Sequence, residues 1–476
     1  MSTLLEQVRL SVPPEVLAAS LTSAPGVVLL RSGLFDVPHS RYSFLVANPF
    51  LRFRSFGSRC EVQGESTQTL FGNPWHLLDA LIARFEILDE PDLPFPMGGC
   101  FGYWGYDLKN FIEARLPRKA VNDLELPDSS VGFYSSVLVI DHRMGWGTII
   151  STGMEADGSR NQKKAIAELE FWRNLCGASG TCEVGEGESE GEGKIESNLT
   201  QRQFTEMVRK AQHYIQQGHI YQVNLAQRFH SALGSSSWAL FHAFLECSPA
   251  PFAAWLDWGD HQIISSSPEL FLHLSGRQII TRPIKGTRPR DPDANRDAQL
   301  TYELQTSPKE MAELVMITDL LRNDLGRVCE YGTVQVPDLV RLEKYPQVQH
   351  LVSTISGTLR EGVTHFAAIQ SCFPGGSITG APKIRAMEII DELETISRGP
   401  YTGSLGYIGF NRESQLSIGI RITICKEGRA WYYAGAGIVA DSNPEAEYEE
   451  TVAKAAGFRA AINRVQRRAR HRKHQA

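Results

Sequence analysis

Residues 178–198 read ASGTCEVGEGESEGEGKIESN. Gly, Glu and Ser dominate and almost nothing there can be buried, so the segment cannot join a core and is expected to be a flexible linker. It divides the chain into residues 1–177, residues 199–463 and a basic run at 464–476. At 476 residues the chain exceeds one simple core, which calls for two or three units or one large composite. A net charge of −6 argues against a nucleic-acid binder. The run RVQRRARHRK at 464–473 is the basic exception and is expected to be a solvated tail. No run of about 18 apolar residues occurs, so no membrane span is expected. The N-terminus lacks a basic region followed by an apolar signal core. Eight cysteines are scattered without C-x-x-C or zinc spacing, which reads as reduced thiols in a cytoplasmic protein.

The first stretch reads mainly as β-structure. Short apolar runs at 27–30, 42–47 and 137–140 are bounded by Gly, Pro or Ser, and 75–85 has the spacing of an amphipathic helix. Cys100 lies in GGCFG, the G-x-C-x-G pattern of a glutaminase elbow. An elbow needs a strand before it and a helix after it. Here Pro94 and Pro96 precede it, and glycines and aromatics follow, which argues against that reading.

The second stretch starts sharply. Thr200 and Gln203 form a capping box ahead of Phe204, Val208, Ala211 and Ile215 at helical spacing, and Gly218 ends that helix. Strands are expected around 220–230, 252–257, 262–266 and 270–274. Ser307, Pro308 and Glu310 open a second helix running to about 323. In it Glu313 has no evident structural task and is followed by Leu-Val-Met-Ile; a carboxylate at the edge of an apolar face needs a partner. The loop FPGGSITGAPK at 373–383 feeds a helix over 384–393, so it is either an anion site or a plain turn. Strands at 403–407, 417–424 and 431–439 follow, with Arg421 inside an apolar one, where it requires an anionic partner. A last helix begins near Asn443 and Pro444. Its Glu447, Glu450 and Lys454 share one face, either a site for a hard cation such as Mg²⁺ or a solvated acidic face.

The sharpest chemistry lies in RPIKGTRPR, residues 282–290. Ile279 and Ile280 suggest the end of a buried strand, and Pro283 and Gly286 suggest that Lys285 stands where the strand breaks into a loop. A lysine in such a place can act as a nucleophile if burial or other cations favour its neutral amine. Arg282, Arg288 and Arg290 could supply the cations. A solvated basic loop or a phosphate site fits the same nine residues.

Taken in order, PIKGTRPR, AELVMITDLLRNDLGR, FPGGSITGAPKIRAMEIIDEL and GAGIVADS with EYEET resemble the chorismate-utilising enzymes. That family includes the large components of anthranilate and aminodeoxychorismate synthases, isochorismate synthases and salicylate synthases. The motifs span about 200–460, and RSG at 31–33 and GYWGYD at 102–107 resemble the family's more variable N-terminal region. The resemblance implies an α+β fold: two large antiparallel β-sheets packed as a sandwich, with outer helices. Anthranilate synthases usually carry Pro-Ile-Ala-Gly-Thr where this chain has Lys285. The lysine form resembles the branch that makes 4-amino-4-deoxychorismate for p-aminobenzoate and folate synthesis.

Roles follow from the resemblance, position by position. Lys285 would attack C2 of chorismate, and Glu269 in SSSPE would protonate the departing 4-hydroxyl. Ammonia would then attack C4 and expel the lysine. Glu313, Glu447 and Glu450 match the family's Mg²⁺ carboxylates. Tyr407, Arg421, Gly437, Ile438 and Lys454 match positions that bind the substrate carboxylates, and Thr287 and His350 match further active-site positions. Some relatives bind tryptophan in a pocket that aligns with Ser32, His39, Ser40, Arg41, Tyr42, Pro251, Phe252 and Ala253. His39 departs from the aromatic of some relatives. No glutaminase and no pyridoxal-phosphate lyase is expected in the chain, so ammonia should come from a separate glutamine amidotransferase subunit. An anthranilate synthase large component and a non-catalytic chorismate- or tryptophan-binding regulator are the alternatives.

Overall fold

The computed structural model describes residues 2–33, 39–88, 90, 92–177, 194–345 and 347–473, with side chains described up to residue 467. Most of the linker expected at 178–198 therefore lies outside the described residues. Two antiparallel sheets face each other, each with 12 strands among the described residues. The first runs from Leu4–Arg9 through Trp146–Ser151, Ser136–Asp141, Tyr42–Val46, Val27–Arg31, Phe252–Asp257, Gln262–Ser267, Ile422–Lys426, Arg429–Ile438 and Gln222–Ala232 to Glu196–Ser197. The second runs from Ile284–Pro289 through Val348–Thr358, Gln278–Arg282, Leu270–Ser275, Glu413–Ile418, Ser404–Gly409, Gly99–Trp104, Ser129–Tyr134, Leu51–Phe56 and Arg59–Gln63 to Thr67–Phe71. Each sheet draws strands from both sides of the 178–198 segment. This is the expected sandwich.

The main core is rich in aromatics and spans both faces of the second sheet: Phe101 packs toward the first sheet with Tyr407 and Phe44, while Trp104 packs outward on Phe366 of the helix His365–Cys372. Edge and tilted contacts such as Phe85 against Phe133 at 5.5 Å join its rings. A second core lies beneath the helices Gln162–Gly177, Ser237–Cys247 and Ala456–Lys473 on the outer face of the first sheet. There Phe458, Ala461 and Ile462 recur at helical spacing and are fully buried.

Local signals place the helix starts. Thr200 and Gln203 form the reciprocal capping box of the helix Gln201–Gln216. Ser307 caps Pro308–Gly326 by accepting from the Glu310 amide at 3.4 Å. The Glu310 carboxylate does not reach back to complete a box; it pairs with Arg288.

Several boundaries differ from expectation. Glu196–Ser197, inside the expected linker, pairs with the end of Gln222–Ala232 as a short edge strand. The basic run does not begin at a structural break, because Ala456–Lys473 is one continuous helix. Val465 is buried in it and Arg464 pairs with Glu246. Cys100 lies inside the strand Gly99–Trp104, fully buried, and burial pushes its thiol well above the usual range. That is the opposite of an activated nucleophile. Among the described residues, no helix is long and apolar enough to cross a membrane.

Candidate active site

The chain changes sheets at two corners that meet over one cavity. It leaves the first sheet after Gln262–Ser267 and enters the second at Leu270–Ser275, with Glu269 at the corner. It returns from Glu413–Ile418 to Ile422–Lys426, with Arg421 at the corner. Arg421 is therefore not inside a strand, as expected, but between two, with φ of 50°. A non-glycine residue in that left-handed region is strained, and such residues concentrate at functional sites. The cavity between these corners has a volume of about 420 Å³.

Lys285 enters from the edge of the second sheet. Pro283 does interrupt the chain, but a new strand, Ile284–Pro289, follows at once, so Lys285 lies on a strand and not in a loop. The register with Val348–Thr358 shifts between Lys285 and Thr287. Gly286 occupies that bulge at φ of 67°, and a Cβ there would stand 2.7 Å from Leu304 Cδ1. Only glycine fits such a bulge comfortably. The Lys285 ammonium donates to the Ser377 carbonyl at 3.3 Å. The arginines expected to crowd it are already neutralised. Arg282 pairs with Glu343, Arg290 with Asp297 at 2.8 Å, and Arg288 with Glu310 at 3.4 Å. Of the three, only Arg288 lines the cavity.

Glu269 lines the same cavity and is 6% exposed. Burial pushes its carboxyl up to about 7, although a hydrogen bond from Ser377 and the charge of Lys285 pull the other way. It is thus an acid that holds a proton near neutral pH. Glu269 binds its proton more tightly in the folded chain than in the unfolded one. Its cost is absent below the ordinary value of 4.5 and complete above about 7. Glu269→Gln should therefore stabilise the fold by on the order of 3 kcal/mol at about pH 8 and by little at about pH 4. Thermal melting at the two pH values measures this; an equal gain at both would remove ionisation as the cause.

His350 and Thr287 are neighbours across the bulge, with Thr287 Oγ1 2.9 Å from His350 Nδ1. Burial first, and then Arg421, depress the imidazole to about 4, so it is neutral. Its Nε2 is enclosed and has no hydrogen-bond partner.

Two helices bring in the expected metal carboxylates. Glu313 on Pro308–Gly326 and Glu450 on Pro444–Lys454 line the cavity. Glu447 stands behind Glu450, 5% exposed, and accepts from Ser442 Oγ at 2.7 Å. Burial raises both Glu313 and Glu447, with Glu450 adding to each and Lys309 opposing. Among the described residues, no three His, Cys, Asp or Glu side chains form a ready-made metal cage. The donor set still fits a hard cation that takes few carboxylates and completes its shell with water and an anionic ligand. Lys454 holds Glu450 at 2.7 Å and donates to the Gly435 carbonyl at 2.8 Å.

Two expected substrate residues stand elsewhere. Ile438 is fully buried in the core behind the sheet, because neighbours on a strand face opposite ways and Gly437 takes the cavity side. Tyr407 packs between the sheets, its ring 4.8 Å from Phe44 and 5.5 Å from Phe101. The cavity is lined instead by Tyr401, Tyr432 and Tyr433, with Tyr401 stacked on Tyr433 at 5.0 Å. Sequence reasoning also missed Asn224, Lys309, Glu310, Ser377 and Gly435, all of which line the cavity. Ser377 lies within the Gly-rich loop, so a signal existed for it. That loop reaches the cavity through Ser377 and Ile378 rather than through the helix start at Lys383. Gly435 shares the Gly437 face two residues away; a Cβ there would come within 2.6 Å of Asn224 Oδ1 and 2.8 Å of Tyr401 Oη.

A second, smaller cavity of about 40 Å³ is lined by Ser32, His39, Ser40, Tyr42, Pro251, Phe252 and Ala253, with Tyr407 beside them. It has room for water rather than for an amino acid. Arg41 does not line it and pairs with Asp141 at 3.0 Å.

A family model described as chorismate binding enzyme matches residues 40–460. Aminodeoxychorismate synthase component 1 of Escherichia coli (strain K12) is 40% identical over 437 residues, 91% of this chain and 92% of that protein. Anthranilate synthase component 1 of Acetivibrio thermocellus is 37% identical over 431 residues, 89% and 87% of the two chains. Among solved structures, anthranilate synthase component I from Streptococcus pneumoniae TIGR4 superposes with a TM-score of 0.77 at 30% identity, covering 88% of this chain and 92% of that one.

Proposed function

The chain belongs to the chorismate-binding enzyme family, and from that premise we propose that it converts chorismate and ammonia to 4-amino-4-deoxychorismate through a covalent adduct on Lys285. The observation that carries this reading is the pairing of an amine with a protonated acid. Lys285 and Glu269 line one cavity, and Glu269 is held near 7 by burial. The Lys285 amine attacks C2 of the ring. The ring double bonds shift, the C4–O bond breaks, and Glu269 gives its proton to the hydroxyl, which leaves as water. Ammonia then adds at C4, the double bonds shift back, the C2–N bond to Lys285 breaks, and the amine is regenerated.

Chorismate is a dianion, and the walls suit it: Arg421, Lys454 and Lys309 line the cavity. Glu313, Glu447 and Glu450 would hold Mg²⁺, which would bind a substrate carboxylate. Gly435 and Gly437 let the ligand approach the strand backbone closely. Ammonia would come from a separate glutamine amidotransferase subunit. The relatives' names, as component 1, support a partner. The second cavity is proposed as a tryptophan pocket only in an opened form, given its size.

The relatives also include anthranilate synthase components at 37% and 39% identity, so ortho amination is the competing reading. Product identity separates the two. With chorismate, Mg²⁺ and ammonium salt under alkaline conditions, the isolated chain should yield 4-amino-4-deoxychorismate by chromatography and mass. Anthranilate as the main product would replace this reading with the other. Glutamine alone should give no product, because the thiol of Cys100 is sealed in a strand. Glutamine-dependent turnover in a preparation free of amidotransferase, lost on Cys100→Ala, would overturn the need for a partner.

A further inference from the structure

Beneath the cavity lies a charged pair that does not itself line it. Arg398 is 2% exposed and Glu394 8% exposed. Arg398 Nε donates to Glu394 Oε2 at 2.8 Å, and Nη2 donates to Oε1 at 2.6 Å. A buried pair of this kind, taken alone, is weak evidence even for stability. The rest of the guanidinium is more telling. Nη2 also donates to the Asn224 carbonyl at 2.7 Å, and Nη1 donates to the Ile378 carbonyl at 3.3 Å and to Thr402 Oγ1 at 3.2 Å. Its plane lies over the Tyr401 ring, 5.7 Å from the centroid. Glu394 Oε1 in turn accepts from the Ala226 amide at 2.9 Å.

Asn224, Ile378 and Tyr401 come from three separate segments, and all three line the cavity. Ile378 follows Ser377, whose carbonyl holds the Lys285 ammonium and which also bonds Glu269. One guanidinium therefore joins the strand, the turn and the aromatic wall around the reacting groups without reaching them. Arginine suits this task because its planar fork presents five donors in fixed directions, which lysine cannot do.

We infer that Arg398 is a positioning residue: with Glu394 behind it, its guanidinium fixes the Gly376–Ile378 turn and Asn224 against Tyr401, and so sets where Lys285 and Glu269 stand. The inference rests on the roles proposed for Lys285 and Glu269. Positional errors of about 1 Å at reacting groups can cost about a hundredfold in rate, while substrate binding by distant charges is little affected.

The test uses the full chain with Mg²⁺, chorismate and a fixed concentration of free ammonia. Chorismate loss is followed, so the identity of the product does not enter. Arg398→Lys keeps a charge beside Glu394 but cannot bridge both carbonyls. It should melt within a few degrees of the parent, lose about ten- to a hundredfold in kcat, and change KM by less than about threefold. The alkaline fall of its pH profile, assigned to Glu269 by its disappearance in Glu269→Gln, should move. Glu394→Gln keeps shape and an acceptor oxygen, and should show the same split in smaller measure. A folded Arg398→Lys with parental kcat and an unmoved pH profile would reduce Arg398 to a structural staple. If Arg398→Lys does not fold, the same criteria applied to Glu394→Gln decide. A kcat loss no larger than the loss of folded protein would also overturn the inference. Anthranilate from the parent chain would sink the proposed product and leave this result standing. An alkaline fall that survives Glu269→Gln would sink the role of Glu269 instead.

Discussion

Lys285→Ala is expected to remove 4-amino-4-deoxychorismate formation, with a loss on the order of a thousandfold or more, while leaving the fold intact. Lys285 lies on an edge strand that borders the cavity, and its side chain makes one bond, to the Ser377 carbonyl. Its removal leaves an acceptor facing a wet cavity, which costs the fold little. The loss to chemistry is specific. If the amine bonds C2, ammonia is directed to C4. Without the amine, C2 is open to ammonia itself, so a trace of the ortho-aminated product or anthranilate should emerge. Lys285→Arg should not restore the reaction, because a guanidinium stays protonated and cannot attack. The measurements are product identity by chromatography and mass, and a chorismate-derived mass on the peptide containing Lys285 when ammonia is withheld. Undiminished 4-amino product from Lys285→Ala would end the covalent route and leave Lys285 an electrostatic role.

Glu447→Gln should be the next largest effect. Turnover should vanish at limiting Mg²⁺ and return only in part at high Mg²⁺, while thermal stability without metal is equal or slightly higher. Glu447 is 5% exposed and sits beside Glu450, which raises it further after burial has done so. Three carboxylates contributed by two helices repel one another unless a cation joins them. A neutral amide at 447 relieves that repulsion and also removes a ligand charge. The hydrogen bond from Ser442 to Oε1 can survive in glutamine, so the helix keeps its place. Calorimetric titration with Mg²⁺ gives a readout independent of turnover. Parental activity and parental Mg²⁺ affinity in this variant would remove Glu447 from the metal set.

Much of the molecule was legible in linear order because its strongest signals are local. Four long motifs carry residue types whose chemistry suits a dianion, a poor leaving group and a nitrogen nucleophile. The capping box of Thr200 and Gln203 and the cap at Ser307 act within one turn of chain, so their helix starts were readable. Local geometry also underlies the singling out of Lys285 and Gly286, since the bulge they form spans a few residues.

What the linear order left open depends on partners far away. Tyr401 and Tyr407 lie six residues apart in one glycine-rich stretch, and either could serve a ligand. Only the pairing of Ser404–Gly409 with Gly99–Trp104 turns Tyr407 toward Phe44 and Phe101 and leaves Tyr401 to the cavity. The choice between Gly437 and Ile438 is of the same kind, set by register against Gln222–Ala232 about two hundred residues earlier. Whether Arg282, Arg288 and Arg290 act on Lys285 was settled by where Glu343, Glu310 and Asp297 arrive. The corners at Glu269 and Arg421 exist only because two sheets share the chain. The sequence by itself therefore determined the family, the secondary structure around the motifs and the chemical inventory of the site. The tertiary structure decided which of those groups face one another, because side-chain direction on a strand alternates and its phase is set by non-local pairing.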